Sequence, residues 1–378
     1  PDLPLTTRPA RGTIVSDPAN ALNLPRRCNL IRLAIIGTGS MANAHADAFS
    51  KIEGCEVVSC TDIVPGRARE FADRHGIPTA YQDTNEMLDK EKLDAVTVVA
   101  SDDAHMECSL MAIERGLHTM CEKPLATSLA EAQKMADAAR KAGVLTAVNF
   151  SYRNSGATQK AAQIIASGAI GRIIHVEGAY LQSWISSRYW GDWHTKEAFL
   201  WRMSTKRGGL GVLGDIGVHL YDLVTFVAGD ISEIACDLRT FEKDVSAVGE
   251  YVLDANESMV ANVRFTAGAI GTLHTSRWAT GHANTVAMSA YGDKGAIDLN
   301  LDRPAPETLK ICIGENVDKV AWENVECPDT PNMYQRFIDS IRTGKQGQTS
   351  FEGAVKVQAC LEASLKSAQI GGYVKTAA

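Results

Sequence analysis

Leu33-Ala34-Ile35-Ile36-Gly37-Thr38-Gly39-Ser40-Met41-Ala42 is the stretch whose reading decides the fold. A short apolar run ends in a glycine-rich turn, and a small-residue helix, Ala42 to Phe49, follows it. That is the strand–turn–helix context of a dinucleotide fingerprint. Gly37 permits the tight turn, Gly39 lets the backbone come close to a pyrophosphate, and Ala42 is small enough for close helix–strand packing. The helix N-terminus offers N–H groups and the positive end of its dipole to phosphates. A second apolar run, Val57-Val58-Ser59-Cys60-Thr61, ends in Asp62. The spacing fits the acid, about 20 residues on, that binds the adenosine ribose 2′-OH. Asp62 would repel a 2′-phosphate. Ile63 and Val64 bring no positive charge beside it, although Arg67 on the next helix could. NAD is therefore the expected cofactor, with NADP as the alternative.

Outward from this stretch the pattern alternates strand and helix. Pro65 opens a helix through His75, with Gly76 as its stop. Ala95 to Ala100 is an unbroken, largely β-branched run of the kind expected in a strand buried on both faces. A helix over 104–115, a strand Leu117 to Cys121, a helix capped by Ser128 and Glu131, and a strand Val144 to Asn149 complete a series of βα units. The fold class this predicts for residues 31–152 is an α/β Rossmann domain, a doubly wound parallel sheet.

After Tyr152 the rhythm changes. A helix Thr158 to Ser167 and a strand Arg172 to Leu181 lead to a tryptophan-rich loop, a glycine-rich segment and a helix over 212–227. Two-residue alternations follow at Ala247 to Leu253, Ser258 to Phe265, Ala269 to Thr275, Val286 to Tyr291, Ala296 to Leu301 and Leu309 to Ile313. They predict an α+β domain over 153–378 with a large, mostly antiparallel sheet. Helices cover one face of such a sheet, and the alternation is expected to line the open face with Val, Ile and Leu, so that it buries itself in a homo-oligomer. Residues 1–30 carry five prolines without periodicity and read as an N-terminal arm.

The composition narrows the function classes. In 378 residues, 45% apolar and 22% charged content is ordinary for a globular chain, and the length allows two cores. A net charge of −7 does not suggest a basic nucleic-acid face. No apolar run approaches the roughly 20 residues that span a bilayer, and no signal peptide is legible. Nine cysteines stand without CxxC or Cys/His metal spacing, which points to reduced thiols in a cytoplasmic protein and to no metal site.

Two further constellations carry chemistry. Cys121-Glu122-Lys123-Pro124 sits at the C-terminal end of a predicted strand, where ligands of open α/β sheets bind. A lysine there can hydrogen-bond a substrate hydroxyl and favour its alkoxide. In the segment 208–222, Asp215 and His219 stand four apart and share a helix face. Histidine, with an ordinary pKa of about 6.5, is the usual general base near neutral pH, and a neighbouring aspartate could orient it. Trp184, Trp190, Trp193 and Trp201 crowd one segment with Arg188, Tyr189 and Arg202, of which one or two tryptophans are expected to face substrate.

These residues together resemble the Gfo/Idh/MocA oxidoreductases. The GTGSMA turn, Glu122-Lys123-Pro124 and the Asp215–His219 helix match in order, and the resemblance covers roughly residues 31–375. It implies Lys123, Asp215 and His219 as catalytic residues beside the nicotinamide. It implies cofactor contacts by Gly37, Thr38, Gly39, Ser40, Met41, Asp62, Ser101, His105, Glu122, Lys123, Trp201 and Arg202, with Asp102 standing where the family carries a proline. It implies substrate contacts by Lys123, Arg153, Trp201, Asp215 and His219, with Asn149 to Arg153 as a domain-junction motif, and dimers or tetramers. The activity it implies is oxidation of a secondary hydroxyl of a sugar, sugar derivative or cyclitol by hydride transfer to NAD(P). The rival readings are a glycosidase that retains NAD and works by transient redox, and a non-enzymatic NAD(P)-binding regulator.

Overall fold

The computed structural model describes residues 30–206 and 209–376, without the side chains of Glu197 and Ala198. The expected arm lies, but for Leu30, outside the described residues.

The first unit runs β1 (Ile31–Ile36), α1 (Ser40–Phe49), β2 (Cys55–Thr61), α2 (Arg67–His75), β3 (Thr79–Tyr81), α3 (Thr84–Lys90), β4 (Ala95–Val98), α4 (His105–Glu114), β5 (His118–Cys121), α5 (Leu129–Ala142) and β6 (Thr146–Val148). All neighbouring strands pair in parallel, in the order β3-β2-β1-β4-β5-β6. The order reverses between β1 and β4, which opens the crevice where such sheets bind nucleotides. β4 is buried along its whole length, as its β-branched run requires.

The chain continues through α6 (Gly156–Ala166), β7 (Ile173–Leu181), α7 (Glu197–Leu200), α8 (Val218–Ala228) and β8 (Ile231–Arg239). The predicted strand over 247–253 is a two-rung hairpin, β9 (Ala247–Val248) and β10 (Tyr251–Val252), because Gly249 takes a positive φ and turns the chain. Then come β11 (Ser258–Phe265), β12 (Ile270–Ser276), β13 (Thr285–Gly292), β14 (Gly295–Asn300), β15 (Thr308–Ile313), α9 (Glu315–Lys319), β16 (Glu323–Asn324), α10 (Met333–Thr343), α11 (Phe351–Ile370) and β17 (Val374–Lys375). Nine strands form one sheet, β16-β15-β14-β13-β7-β12-β11-β8-β17, antiparallel except for the parallel pair β12–β7.

Period-2 alternation decides which face of this sheet is buried. Met259, Ala261, Val263, Leu273, Val286, Met288, Ile297 and Leu299 turn toward the helices and join the main core. The open face corrects the expectation of an apolar patch. Across paired strands it presents Asn262, Arg264, Thr272, His274, Glu177, Ser289 and Asp298, with Val260, Ile270 and Tyr291 among them. The aliphatic residues of each alternation had gone to the helix side.

The two closing helices return to the first sheet. α10 buries Met333, Phe337 and Ile338 in the same cluster as Phe49 of α1. α11 packs between α5 and β8 and joins both units in one core. Among the described residues no helix is long and apolar enough to cross a membrane.

Candidate active site

The nucleotide crevice is built at the β1–β4 reversal. Gly37 has φ +89°, and a Cβ there would stand 2.7 Å from the Val99 carbonyl oxygen, so β1 and the end of β4 can approach only with glycine between them. Gly39 precedes α1 in extended conformation and no side chain caps the helix. A Cβ on Gly39 would meet nothing within 4 Å. Its glycine therefore answers to no protein neighbour, and the room it leaves at the helix N-terminus fits a pyrophosphate. Ser40 and Met41 stand exposed in the first turn of α1.

Asp62 ends the strand beside this turn and is only 4% exposed. Its Oδ2 accepts hydrogen bonds from Thr38 N (2.8 Å) and Thr38 Oγ1 (2.9 Å). Its Oδ1 accepts from Val64 N (2.9 Å) and from the half-exposed Arg67 guanidinium (2.7 Å). Burial alone would push the carboxyl up, but Arg67 and these N–H groups outweigh it and hold Asp62 below the usual carboxylate range. Arg67 is thus the cation beside the acid. These four bonds fill the acceptor sites of the carboxylate, so a ribose diol would bind by taking the place of a donor, the half-exposed Arg67 first. Asp62→Ala is expected to weaken NAD binding about 10- to 100-fold, the worth of one charge-assisted hydrogen bond, and to free Arg67 for a 2′-phosphate. Direct titration of the variant with NAD and NADP checks this, and unchanged discrimination would refute it.

The loop after β4 differs from expectation in one residue. Ser101 is exposed at the strand end and donates to Asp103 Oδ1 (2.5 Å), and Asp102 lines the cleft. His105 is 1% exposed, with Nδ1 at 2.8 Å from the Pro124 carbonyl and Nε2 at 3.2 Å from the Ala100 carbonyl. Both ring nitrogens are spent on main chain, so His105 braces the loops after β4 and β5 and does not itself reach a cofactor.

Glu122 is buried as well. Its Oε1 accepts from His45 Nε2 (2.8 Å) and Asn149 Nδ2 (2.6 Å), and its Oε2 from Lys123 N (3.1 Å). Burial would raise its pKa, but the His45 and Asn149 hydrogen bonds bring it down to about 2. The expected cofactor contact by Glu122 is replaced by an internal clamp.

Lys123, with a cis bond to Pro124, reaches across to the other unit. Its Nζ donates to the Asp215 main-chain oxygen (2.9 Å) and stands 3.3 Å from Oδ1. Asp215 lies in a π-helical turn, Leu213–Gly217, that precedes α8. Such turns recur at functional sites, where they redirect a side chain. Gly211, just before it, has φ +61°, and a Cβ there would strike Asn256 at 2.5 Å. The Asp215 carboxylate faces three cations: Lys123, Arg202 Nε (3.2 Å to Oδ1) and Arg277 (2.9 Å to Oδ2). Burial pushes this carboxyl up, and Arg202, Lys123 and Arg277 together hold it well below the usual range.

The sequence pairs Asp215 with His219. The structure spends Asp215 on the cations instead. His219, 8% exposed, lies edge-on to Tyr152 at 5.2 Å between centroids, and its Nδ1 has no partner among the described residues. Burial first, and then the Lys123 charge, lower its pKa to about 3, so it is neutral near pH 7.

Arg153 is a further correction. It is buried and bidentate to Asp222, with Nε at 3.0 Å from Oδ2 and NH2 at 2.6 Å from Oδ1, and NH1 donates to the Gln348 carbonyl. Its guanidinium lies 4.3 Å from the Phe226 ring centre. It ties α6's approach to α8 and α11's approach and is not free for substrate. Of the four crowded tryptophans, Trp201 lines the cleft with Arg202 stacked on it at 4.4 Å. Trp184 and Trp193 are in a small core with Leu200, Met203 and Tyr251, and Trp190 donates to the Ala283 carbonyl. Lys123, Pro124, Trp201, Arg202, Leu210 and Asp215 bound a narrow cleft.

Arg277 and His45 went unnoticed in the sequence, yet each carried a signal. Leu273 and Thr275 of β12 and Arg277, the residue just after the strand, fall on one buried face by alternation, so the arginine had to have an inward partner. His45 falls on the Ala42–Ala46–Phe49 face of α1.

Comparison with known proteins places this geometry. Residues 31–150 match the oxidoreductase family with an NAD-binding Rossmann fold, and residues 158–298 match the GFO/IDH/MocA C-terminal domain. The D-glucoside 3-dehydrogenase of Escherichia coli (strain K12) is 31% identical over 65% of this chain and 70% of its own. The levoglucosan dehydrogenase of Pseudarthrobacter phenanthrenivorans is 28% identical over 72% and 74%. A solved structure of levoglucosan dehydrogenase with NADH and L-sorbose superposes with a TM-score of 0.81, at 25% identity over 92% of this chain and 99% of that one. The chain belongs to the GFO/IDH/MocA family of oxidoreductases.

Proposed function

We propose that the protein is an NAD-dependent dehydrogenase that oxidises a secondary hydroxyl of a sugar, sugar derivative or cyclitol, or reduces the matching ketone. The observation that carries this is the convergence, at the strand ends of a nucleotide-binding sheet, of the Lys123 ammonium with the Asp215 turn of the second unit, one helical turn before a buried histidine whose Nδ1 has no partner among the described residues. NAD, when bound, accepts the hydride, and the Gly37–Met41 turn and Asp62 would hold it. Lys123 donates a hydrogen bond to the substrate oxygen and stabilises its developing negative charge. His219 takes the hydroxyl proton on its unprotonated ring nitrogen. Asp215 binds and aims Lys123 and Arg202, and keeps three close cations from repelling one another. Trp201 supplies an apolar surface suited to a sugar ring face. The relatives described above act on sugars, as their names state, and nothing in them favours the glycosidase or the regulator. A panel of sugars and cyclitols with NAD, read by NADH absorbance, tests the reading. Turnover of lactate or malate with none of any sugar or cyclitol would overturn it. Lys123→Met is expected to lower kcat by about 10²- to 10³-fold with NAD affinity retained, the loss seen when one preorganised donor is removed.

The proposal divides labour at residue 152, with nucleotide binding before it and substrate binding and assembly after it. All eight described cysteines are free thiols, which supports a reducing, cytoplasmic setting. We also propose a homo-oligomer, dimer or tetramer, through the open sheet face. Support comes from Val260, Ile270 and Tyr291, exposed at 53%, 56% and 36% on a face that no helix covers among the described residues. A mixed polar and apolar face of this kind is ordinary for a protein interface. Light scattering at micromolar concentration is expected to give a multiple of the chain mass, and Ile270→Glu is expected to lower it. A stable monomer would refute the assembly.

A further inference from the structure

We propose that the buried chain of hydrogen bonds Thr97–His45–Glu122–Asn149–Tyr334 is a positioning device for Lys123, one that governs the rate of the hydroxyl chemistry and not the affinity for the nucleotide. This rests on the assignment of Lys123 to the substrate oxygen.

The five residues come from β4, α1, the end of β5, the end of β6 and α10. His45 is fully buried, with Nδ1 at 2.8 Å from Thr97 Oγ1 and Nε2 at 2.8 Å from Glu122 Oε1. A carboxylate can only accept, so Nε2 carries the proton of that bond. Asn149 Nδ2 donates to Glu122 Oε1 at 2.6 Å and to the Tyr334 hydroxyl at 3.2 Å. The remaining carboxylate oxygen of Glu122 accepts from the Lys123 main-chain N–H at 3.1 Å. Lys123 is therefore held at both ends. Its backbone hangs on a carboxylate fixed by the nucleotide-binding helix and by α10, and its ammonium is held by Asp215 of the other unit.

A buried carboxylate is a costly way to hold one amide unless its place matters. Of its three donors, two fix the carboxylate and the third is the residue it presents. A shift of about 1 Å in a reacting group can cost on the order of 10²-fold in rate. The titratable groups facing Glu122 are His45 from α1, Lys123 on its own segment, His219 from α8 and the Tyr334 phenol from α10.

Asn149→Asp sets a second carboxylate against Glu122, and two carboxylates at that distance share one proton. While the proton is shared, the bond between residues 149 and 122 is kept. Once it leaves, the two charges repel and Glu122 moves. The expected result is a kcat within about threefold of the parent at the acidic end of the profile, falling about 10- to 100-fold as pH rises, with NADH affinity by fluorescence titration unchanged within about threefold throughout. His45→Gln, which keeps an N–H toward Glu122, should retain most of kcat. His45→Leu should lose it at every pH without loss of NADH affinity. Circular-dichroism melts at each pH establish that the variants are folded. Folded Asn149→Asp and His45→Leu enzymes with parental kcat at all pH overturn the proposal, as does a loss of NADH affinity that parallels the loss of kcat. Lys123→Met measured alongside separates the two claims. An inactive Lys123→Met with unaffected network variants fails the network alone, and an active Lys123→Met fails the assignment of Lys123 itself.

Discussion

His219→Ala is expected to lower kcat for hydroxyl oxidation by about 10²- to 10⁴-fold while the protein still binds NAD, because the substrate proton loses its acceptor. The pH dependence distinguishes this from a packing effect. An exposed histidine would give an acidic limb near its ordinary pKa of about 6.5. Burial and the Lys123 charge move His219 down to about 3. The histidine is thus already unprotonated across the range pH 5 to 8, and kcat/KM should carry no limb of its own near 6.5. The stability effect has the same origin. The unfolded chain binds a proton at residue 219 as pH falls below about 6.5, whereas the folded chain does not until about 3. The fold therefore loses stability through that window, and His219→Ala should flatten this part of the acid-unfolding curve. A limb centred at 6.5 in the parent enzyme that vanishes in the variant would sink the burial argument while keeping the base. A folded variant with near-normal kcat would remove His219 from the mechanism.

Arg277→Met is expected to cost about 3 kcal/mol of stability, toward the lower end of the 3–5 kcal/mol that follows when one partner of a buried ion pair is removed. Arg277 is wholly buried, with a guanidinium bonded to the Asp215 carboxylate (2.9 Å), the Arg202 carbonyl (2.9 Å) and the Gly211 carbonyl (3.2 Å). It lies 5.0 Å from the Trp184 ring centre. The substitution strips two buried carbonyls of a donor and leaves Asp215 to Lys123 and Arg202. Those two cations keep the carboxylate paired, which is why the upper end of the range is not reached. Lys123 should then be drawn closer to Asp215, so kcat should fall as well. Urea unfolding of the parent and the variant measures the first effect. A midpoint shift worth less than about 1 kcal/mol would show that the site does not depend on this arginine.

The sequence by itself determined the parallel sheet and the nucleotide turn, for which local patterns suffice, whereas Lys123, Asp215 and His219 were singled out by the family resemblance and not by their spacing alone. An unbroken, largely β-branched run such as Ala95 to Val98 has to be buried on both faces, and Gly37 is dictated by a turn only a few residues long. Which residues Asp215 and Glu122 would bind was decided only by the tertiary structure. Asp215 meets Arg277, just past the end of β12, from 62 positions away, and Glu122 meets His45 from 77 positions away. No periodicity reports contacts of that range, because they depend on how two sheets and the helices between them pack. The same holds for the open sheet face. Alternation told that one side of each strand is polar, but the side facing the helices was settled by the register of nine strands against one layer of helices. Arg153 and His105 show the converse. Both stand in sequence where family resemblance puts a ligand contact. The folded chain buries both against acceptors that are themselves out of water, the Asp222 carboxylate for Arg153 and the Pro124 and Ala100 carbonyls for His105.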